Sequence, residues 1–243
     1  MSKLFDPFGD FQTAGYLRNT SQLHDPNLIK ELEHQNFKAN LPTALSFLEK
    51  RRTIDYSAFL QVHKILFSDF YPWAGQDRLR CHSERKTVNK DDIVFCAPQM
   101  LRAAVEEGLR IGNKAATMKT RPGSVMGMFA YGHRFLDGNG RTMLLVHMEL
   151  CFRAKFAIDW ARTNKNEYLS ALSAELKNPN DNVLNDYLCP LIVAQEPRTQ
   201  WGASLLDLKG LDGVDDDVQT LDLNDAQQSK LYEEFENKRN YKL

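Results

Sequence analysis

The chain has 243 residues, 42% of them hydrophobic and 26% charged, the balance of an ordinary soluble globular protein with one sizeable core and an appendage. Lys and Arg number 31 against 32 Asp and Glu, a formal net charge of −1, so no global field draws the chain to nucleic acid or to a membrane surface. Four scattered cysteines, Cys81, Cys96, Cys151 and Cys189, form no CxxC pair, which argues against a zinc site and for a reducing cytosol.

No apolar run approaches the ~20 residues of a membrane span. The opening Met-Ser-Lys-Leu-Phe-Asp-Pro-Phe-Gly-Asp carries acids and a proline where a signal peptide needs a continuous apolar stretch, and a cytoplasmic location is expected. Residues 1–20 are irregular by pattern. Asp25-Pro26 then opens a helix, with Asp25 as N-cap and Pro26 at the first helical position. Leu28, Ile29, Leu32 and Phe37 keep the period, and the helix is expected to end near Asn40-Leu41-Pro42. Ala44 to Arg52 reads as a second, short amphipathic helix.

Asp55 to Phe70 is a clear helix whose apolar face is Phe59, Leu60, Val62, His63, Leu66 and Phe67; His63 reads as a satisfied core histidine. Tyr71-Pro72-Trp73-Ala74-Gly75 follows, an aromatic helix end, then Arg78. Residues 79–96 lose the helical period, with a polar turn between more extended pieces. Gln99 to Gly108 is helical again. Lys114 to Pro122 is expected to be a basic, solvated loop, and Ser124 to Tyr131 a further helix.

Next comes His133-Arg134-Phe135-Leu136-Asp137-Gly138-Asn139-Gly140-Arg141, a turn between two apolar helices. Its two glycines let backbone N–H groups converge, and the next helix begins there with its positive dipole end. That combination builds an anion site from backbone alone, flanked by a histidine and a carboxylate. No Gly-Lys-Ser/Thr follows, so it is not a Walker A loop, and the alternating ligands of an EF-hand are absent. Asp-Gly and Asn-Gly are also plain turn signals, so spacing alone leaves a mere connection open. Thr142 to Phe156 is apolar on several sides, as a central bundle helix should be. From Asp207 to Asp225 seven aspartates and one lysine read as a solvated linker, before a last helix capped at Asn224-Asp225 and running through Lys238. We see no internal repeat. The expected organisation is a domain over 1–195 and an acidic linker with a C-terminal helix over 196–243.

The loop resembles the Fic signature, His-x-Phe-x-Asp/Glu-Gly-Asn-Gly-Arg-x-x-Arg. His133, Phe135, Asp137, Gly138, Asn139, Gly140 and Arg141 match it, and Leu144 stands where the last arginine is expected. Tyr71-Pro72-Trp73-Ala74-Gly75-x-x-Arg78 resembles a second landmark of the family, in the expected order about 60 residues before the histidine motif. Gly15-Tyr16-Leu17-Arg18-Asn19 is similar to the family's short N-terminal segment. Ala157-Ile158-Asp159-Trp160, with the helix holding Tyr168, is similar to a third landmark near the nucleotide base. The resemblance implies a mainly α fold, a Fic-type helical bundle with a short β-hairpin flap within 79–96 that takes the target's backbone by strand addition.

It further implies a protein adenylyltransferase that moves AMP from ATP to a Ser, Thr or Tyr hydroxyl of a target protein. His133 would be the general base, Asp137 the ligand of a Mg²⁺, and Gly138, Asn139, Gly140 and Arg141 the phosphate site, while Tyr168 stacks on adenine or is simply a core-edge aromatic. Leu144 cannot clasp a γ-phosphate, so the alternatives are a different phosphate-containing donor, or a non-catalytic nucleotide-binding or toxin-type module held by a small inhibitory antitoxin partner. Leu144 also implies weak discrimination between triphosphate and diphosphate donors. The family's inhibitory motif has no full match: Ser229-x-x-x-Glu233 fits except that Glu234 stands where Gly or Asn is expected. Without a second arginine for Glu233 to meet, the usual lock is expected to be absent.

Overall fold

Two aspartates start the first two long helices. Asp25 accepts the Asn27 N–H at 2.9 Å ahead of Pro26, and Asp55 accepts the Ala58 N–H at 2.8 Å, so each side chain satisfies a donor that a helix start leaves unpaired. In the computed structural model of the chain the described residues are 5–81, 86–90, 93–208, 218–239 and 241, with the strands at 86–90 and 218–222 described by backbone alone. In order the helices are α1 (Phe11–Ala14), α2 (Pro26–Lys50), α3 (Tyr56–Phe67), α4 (Arg78–Cys81), α5 (Leu101–Gly112), α6 (Ala115–Thr120), α7 (Pro122–Gly132), α8 (Asn139–Arg153), α9 (Lys165–Lys177), α10 (Val183–Leu188), α11 (Arg198–Leu206) and α12 (Ala226–Arg239). The strands are β1 (Lys86–Lys90), β2 (Ile93–Val94), β3 (Ala157–Ile158), β4 (Ile192–Val193) and β5 (Val218–Asp222). The fold is mainly α, as the sequence implies.

The centre is a pair of consecutive helices. Every residue of α7 is buried, and so is most of α8. α5 packs across α7, α3 packs across α8, and α2 lies along α3. The α5–α7 contact is close because Gly108 has no side chain: a Cβ there would stand 2.7 Å from the Phe129 ring.

Three expectations change. The helix from Pro26 does not stop near Pro42 but runs unbroken to Lys50. Proline removes one helical hydrogen bond at a cost of roughly 3 kcal/mol. The stripe Ile29, Phe37, Leu41, Ala44 and Leu48 is buried on both sides of it, and burying each large apolar side chain is worth about 1.5–3 kcal/mol, so packing carries the helix through. The basic loop at 114–122 is instead the helix α6, tied down by buried Met118. Within the stretch read as linker, residues 209–217 lie outside the described residues, but Val218–Asp222 is a strand. Its composition gives no sign of this; the strand exists because β1 offers an edge. α12 is capped as expected, with Asp225 accepting from Gln227 and Gln228 at 3.0 Å. Before it, α11 packs on α2 with Trp201 and Leu205 buried.

The sheets are small. β1 is antiparallel to β2 and to β5, in the order β2-β1-β5, so the expected hairpin is present with a third strand on it. β3 and β4 pair antiparallel elsewhere. Among the described residues no helix is long and apolar enough to cross a membrane.

Candidate active site

Helix α7 ends at Gly132 and α8 begins at Asn139, so the six residues between them lie at the heart of the bundle. His133 caps α7 in the left-handed region, φ 35° and ψ 59°, a conformation unusual for any residue but glycine. Two contacts hold it there. The buried Arg78 guanidinium donates from Nε to the His133 carbonyl at 2.6 Å and from Nη2 to the Cys96 carbonyl at 3.2 Å. The Phe95 ring stacks on the imidazole at 4.1 Å. Burial pushes the Arg78 pKa down to about 10, which still leaves it charged at neutral pH. The imidazole itself is half-buried and reaches the surface.

The loop floor is aromatic. Phe135 is buried and stacks on His63 at 3.7 Å. The Asn139 side chain accepts from the Phe135 N–H and donates to the Phe135 carbonyl, both at 2.8 Å. That side chain is therefore spent on closing the loop, which leaves the Asn139 backbone for any ligand. His63 is the satisfied core histidine expected, and it also props the loop. Gly75 N–H donates to its Nδ1 at 2.9 Å, so Nε2 carries the proton and donates to the Asp137 carbonyl at 2.9 Å. Burial pushes the His63 pKa down to about 3, so the ring is neutral. The Tyr71–Gly75 segment contributes more than aromatic packing. It supplies that Gly75 donor, a Trp73 indole bond to the Leu17 carbonyl at 2.8 Å, and the Tyr71 hydroxyl 3.4 Å from Asp137 Oδ2.

At the mouth, the two glycines differ. Gly138 has φ 73°, and a Cβ there would lie 2.5 Å from the Phe67 ring, so no other residue fits. Its N–H, expected in the phosphate cradle, donates to Asp137 Oδ1 at 2.6 Å instead. Gly140 is exposed, and a Cβ there would meet nothing within 4 Å. Open space therefore lies at the first turn of α8, where the leading N–H groups have no intrahelical partner and the helix dipole is positive.

Arg141 was expected to meet phosphate with its guanidinium. It is only 4% exposed and donates from Nη2 to Glu33 Oε1 at 2.7 Å. It sits against the Phe67 and Phe37 rings, and 3.9 Å from Asp137 Oδ1. Burial works against its charge, and Glu33 and Asp137 outweigh that, so its pKa lies above the ordinary value. Its Nη1 is buried with no hydrogen-bond partner. Glu33, 2% exposed on α2, is a site residue that the pattern reading missed. The signal was available: Ile29, Glu33, Phe37 and Leu41 follow one another at i+4 steps, and a carboxylate on a buried stripe needs a cation.

Leu144 is 7% exposed in the core. Tyr168 lies on α9, edge-on to Trp160 at 5.6 Å and 6.4 Å from Tyr187, and its burial raises its pKa, keeping the hydroxyl neutral. Glu233, at the near-match of the inhibitory motif, is exposed on α12. Among the described residues no three His, Cys, Asp or Glu gather as a metal site. The carboxylate open at the mouth is that of Asp137, its side chain 28% exposed. One carboxylate suits Mg²⁺, which keeps several waters and takes its other ligands from substrate phosphates.

The sequence profile of the Fic/DOC family matches residues 53–151, a span that holds α3, the aromatic turn, the hairpin, and α5 to the end of the loop and into α8. The chain is 30% identical over 172 residues to the protein adenylyltransferase VbhT of Bartonella schoenbuchensis, covering 68% of this chain and 35% of that one, so it spans about a third of the relative's length. It is 26% identical over 166 residues to the probable protein adenylyltransferase y4lH of Sinorhizobium fredii, covering 64% of this chain and 81% of that one. Among solved structures, the N-terminal Fic domain of a putative cell filamentation protein from Bartonella quintana, with bound ADP, superposes with a TM-score of 0.59 at 18% identity, covering 78% of this chain and 93% of that one. The BepC protein of Bartonella tribocorum, with bound AMPPNP, gives 0.56 at 17% identity, covering 73% and 92%. With the signature residues sitting between two buried helices and the profile spanning both, the chain belongs to the Fic/DOC family.

Proposed function

We propose that the protein transfers AMP from ATP to a Ser, Thr or Tyr hydroxyl of another protein. The observation that carries this reading is the joint placement of an accessible imidazole and an open helix N-terminus within one six-residue loop. His133 takes the proton of the acceptor hydroxyl, a task suited to a group that titrates near neutrality. The hydroxyl oxygen forms a bond to the α-phosphorus as the bond from that phosphorus to the β-phosphate's bridging oxygen breaks. AMP ends on the acceptor, pyrophosphate leaves, and the proton stays on His133. The first-turn N–H groups of α8 at Asn139, Gly140 and Arg141 receive the growing negative charge. Asp137 would hold Mg²⁺, which supplies charge neutralisation on the phosphates. Phe95 and Arg78 orient the imidazole from ring and backbone, and Tyr168 is the candidate for the face of adenine.

Arg141 acts from below, as a buried positive charge whose unpartnered Nη1 supports an anion above it. Its commitment to Glu33, together with Leu144, favours a second reading of the donor: a nucleotide or other phosphate compound without a γ-phosphate. Incubating the protein with ATP, ADP and a candidate acceptor extract, with mass spectrometry of the modified hydroxyls, separates the donors. Mass equal to one AMP per acceptor, lost in His133→Ala without a change in melting temperature, is the expected outcome. Removal of a general base lowers the rate by about 10²–10⁴, so more than about a tenth of the activity in the variant contradicts that role.

A further inference from the structure

We propose that α12 braces the imidazole of His133: Arg239 and Tyr232 are positioning residues that fix the backbone on either side of Phe95, and Phe95 in turn fixes the ring. The inference rests on the reading of His133 as the general base. Phe95 is 7% exposed, and its ring lies 4.1 Å from the imidazole at an interplanar angle of 25°. Where that ring stands depends on the stretch 94–97, the end of β2 and the residues after it. The middle of the stretch is tied to the core. The Cys96 N–H donates to the Tyr131 carbonyl at 3.1 Å, and the Cys96 carbonyl accepts from Arg78 at 3.2 Å. Its two ends are tied to the tail. The Val94 carbonyl accepts from Arg239 Nη2, and the Ala97 N–H donates to the Tyr232 hydroxyl at 2.9 Å.

The tail is built to hold this place. Arg239 is 1% exposed, and each nitrogen of its guanidinium has a partner. Nε donates to the Leu176 carbonyl of α9, Nη1 to Glu236 Oε1 at 2.9 Å, and Nη2 to Val94. A buried cation persists only when it is satisfied in this way, and the planar fork fixes the direction of each bond. Glu236 also accepts from the Tyr131 hydroxyl. The guanidinium lies over the Tyr131 ring at 4.9 Å, and Tyr241 packs on that ring at 4.7 Å. Tyr131 stands near the end of α7, just before His133. One cluster thus grips both supports of the imidazole: the strand end that carries Phe95 and the helix end that carries His133. His133 needs such support, because a φ of 35° persists only where the surroundings over-determine it. Arg239 and Tyr232 lie outside residues 53–151, which the family profile matches, so the brace is an addition to the shared core.

The test uses the full chain carrying Arg239→Ala and, separately, Tyr232→Phe, which keeps the ring and removes one acceptor. Arg198→Ala is the control: it takes from α11 its bonds to Glu149 at 3.2 and 2.7 Å and leaves the brace intact. The readout is the NMR signal of the His133 Cε1–H, assigned by its loss in His133→Ala. In the parent the ring current of the stacked Phe95 displaces this signal upfield. Arg239→Ala is expected to lose most of the displacement, Tyr232→Phe part of it, and Arg198→Ala none. Transfer from ATP is read in the same samples. In Arg239→Ala kcat is expected to fall on the order of tenfold or more at an unchanged KM for ATP, the cost of misplacing a reacting group. A parent signal without displacement, a signal that stays displaced in both tail variants, or an equal change in Arg198→Ala overturns the proposal. If Arg239→Ala does not fold, Tyr232→Phe carries the same test alone. Loss of the displacement with transfer absent from the parent, or unaltered in the variant, fails the reading of His133 as the base and keeps the brace. Transfer at one rate by all forms with an unmoved signal does the reverse.

Discussion

At the scale of single residues, the mouth of the loop depends on two atoms that are absent. Gly138 lacks a Cβ because the Phe67 ring occupies that place, while Gly140 lacks one although nothing lies within 4 Å. Packing therefore explains the first glycine and not the second. Gly140→Ala is expected to leave the melting temperature unchanged or higher, since alanine is the better helix former by about 1 kcal/mol. Its methyl group enters the open space at the first turn of α8, and if phosphate occupies that space nucleotide affinity is expected to fall by roughly tenfold, the weight of one good hydrogen bond to a charged group. Calorimetry beside a melting curve checks both, and unchanged affinity removes the cradle from this place. Asp137 needs a different pair of variants, because its Oδ1 also accepts the Gly138 N–H. Asp137→Asn keeps an acceptor for that bond and loses the charge; Asp137→Ala loses both. If Asp137 holds Mg²⁺, both variants lose the Mg²⁺ dependence of transfer while Asp137→Asn keeps the parent's stability. A metal titration curve identical to the parent's in both variants contradicts the assignment.

At the scale of elements, α8 brings together the loop and Leu144, the departure from the family signature. An arginine at 144 has two possible fates, reaching back to a phosphate or burying its charge. Leu144 is 7% exposed, which decides for burial. Leu144→Arg is expected to lower stability by about 3 kcal/mol, the scale of an uncompensated buried charge, with no gain in ATP affinity. Denaturant unfolding and ATP calorimetry on parent and variant measure the two quantities. A tenfold tighter ATP complex at unchanged stability shows instead that the longer side chain escapes the core. The same helix shows what the sequence makes legible. The loop, the caps at Asp25, Asp55 and Asp225, and the buried centre all rest on local rules, and the structure has them where those rules put them. What was illegible depends on partners far along the chain. Glu33 finds Arg141 across 108 residues, Arg78 finds the His133 carbonyl across 55, and β5 takes its form from β1. Pro42 misleads for the same reason, since the packing that carries α2 through it comes from other helices.

At the scale of the molecule, three buried groups set how stability follows pH. His63 is neutral, its pKa pushed down by burial to about 3. His147 on α8 is fully buried, holds the Pro122 carbonyl at 2.9 Å, and is pushed down by burial to about 4. Both titrate near 6.5 in the unfolded chain, so unfolding takes up their protons below that pH. Their stabilisation is complete above about pH 6.5 and is lost as pH falls toward the folded values. Glu175 on α9 opposes them. Its side chain packs where Gly127 of α7 leaves room, its Oε2 has no partner, and burial pushes its pKa up to about 7. The folded state holds a proton there that the unfolded chain releases above its ordinary value near 4.5, so this contribution is complete at low pH and lost as pH rises through 7. Between pH 6 and 5 the two histidines take up nearly two protons on unfolding and Glu175 gives back nearly one. The parent is therefore expected to lose about 1.4 kcal/mol per pH unit over that interval, one proton's worth. Glu175→Gln removes the opposing group while keeping its shape, and the slope is expected to approach twice that value. Urea unfolding of both proteins at pH 6.0, 5.5 and 5.0 gives the two slopes. Equal slopes mean that Glu175 is ionised in the fold, and its unpartnered oxygen then has a cation or water beside it.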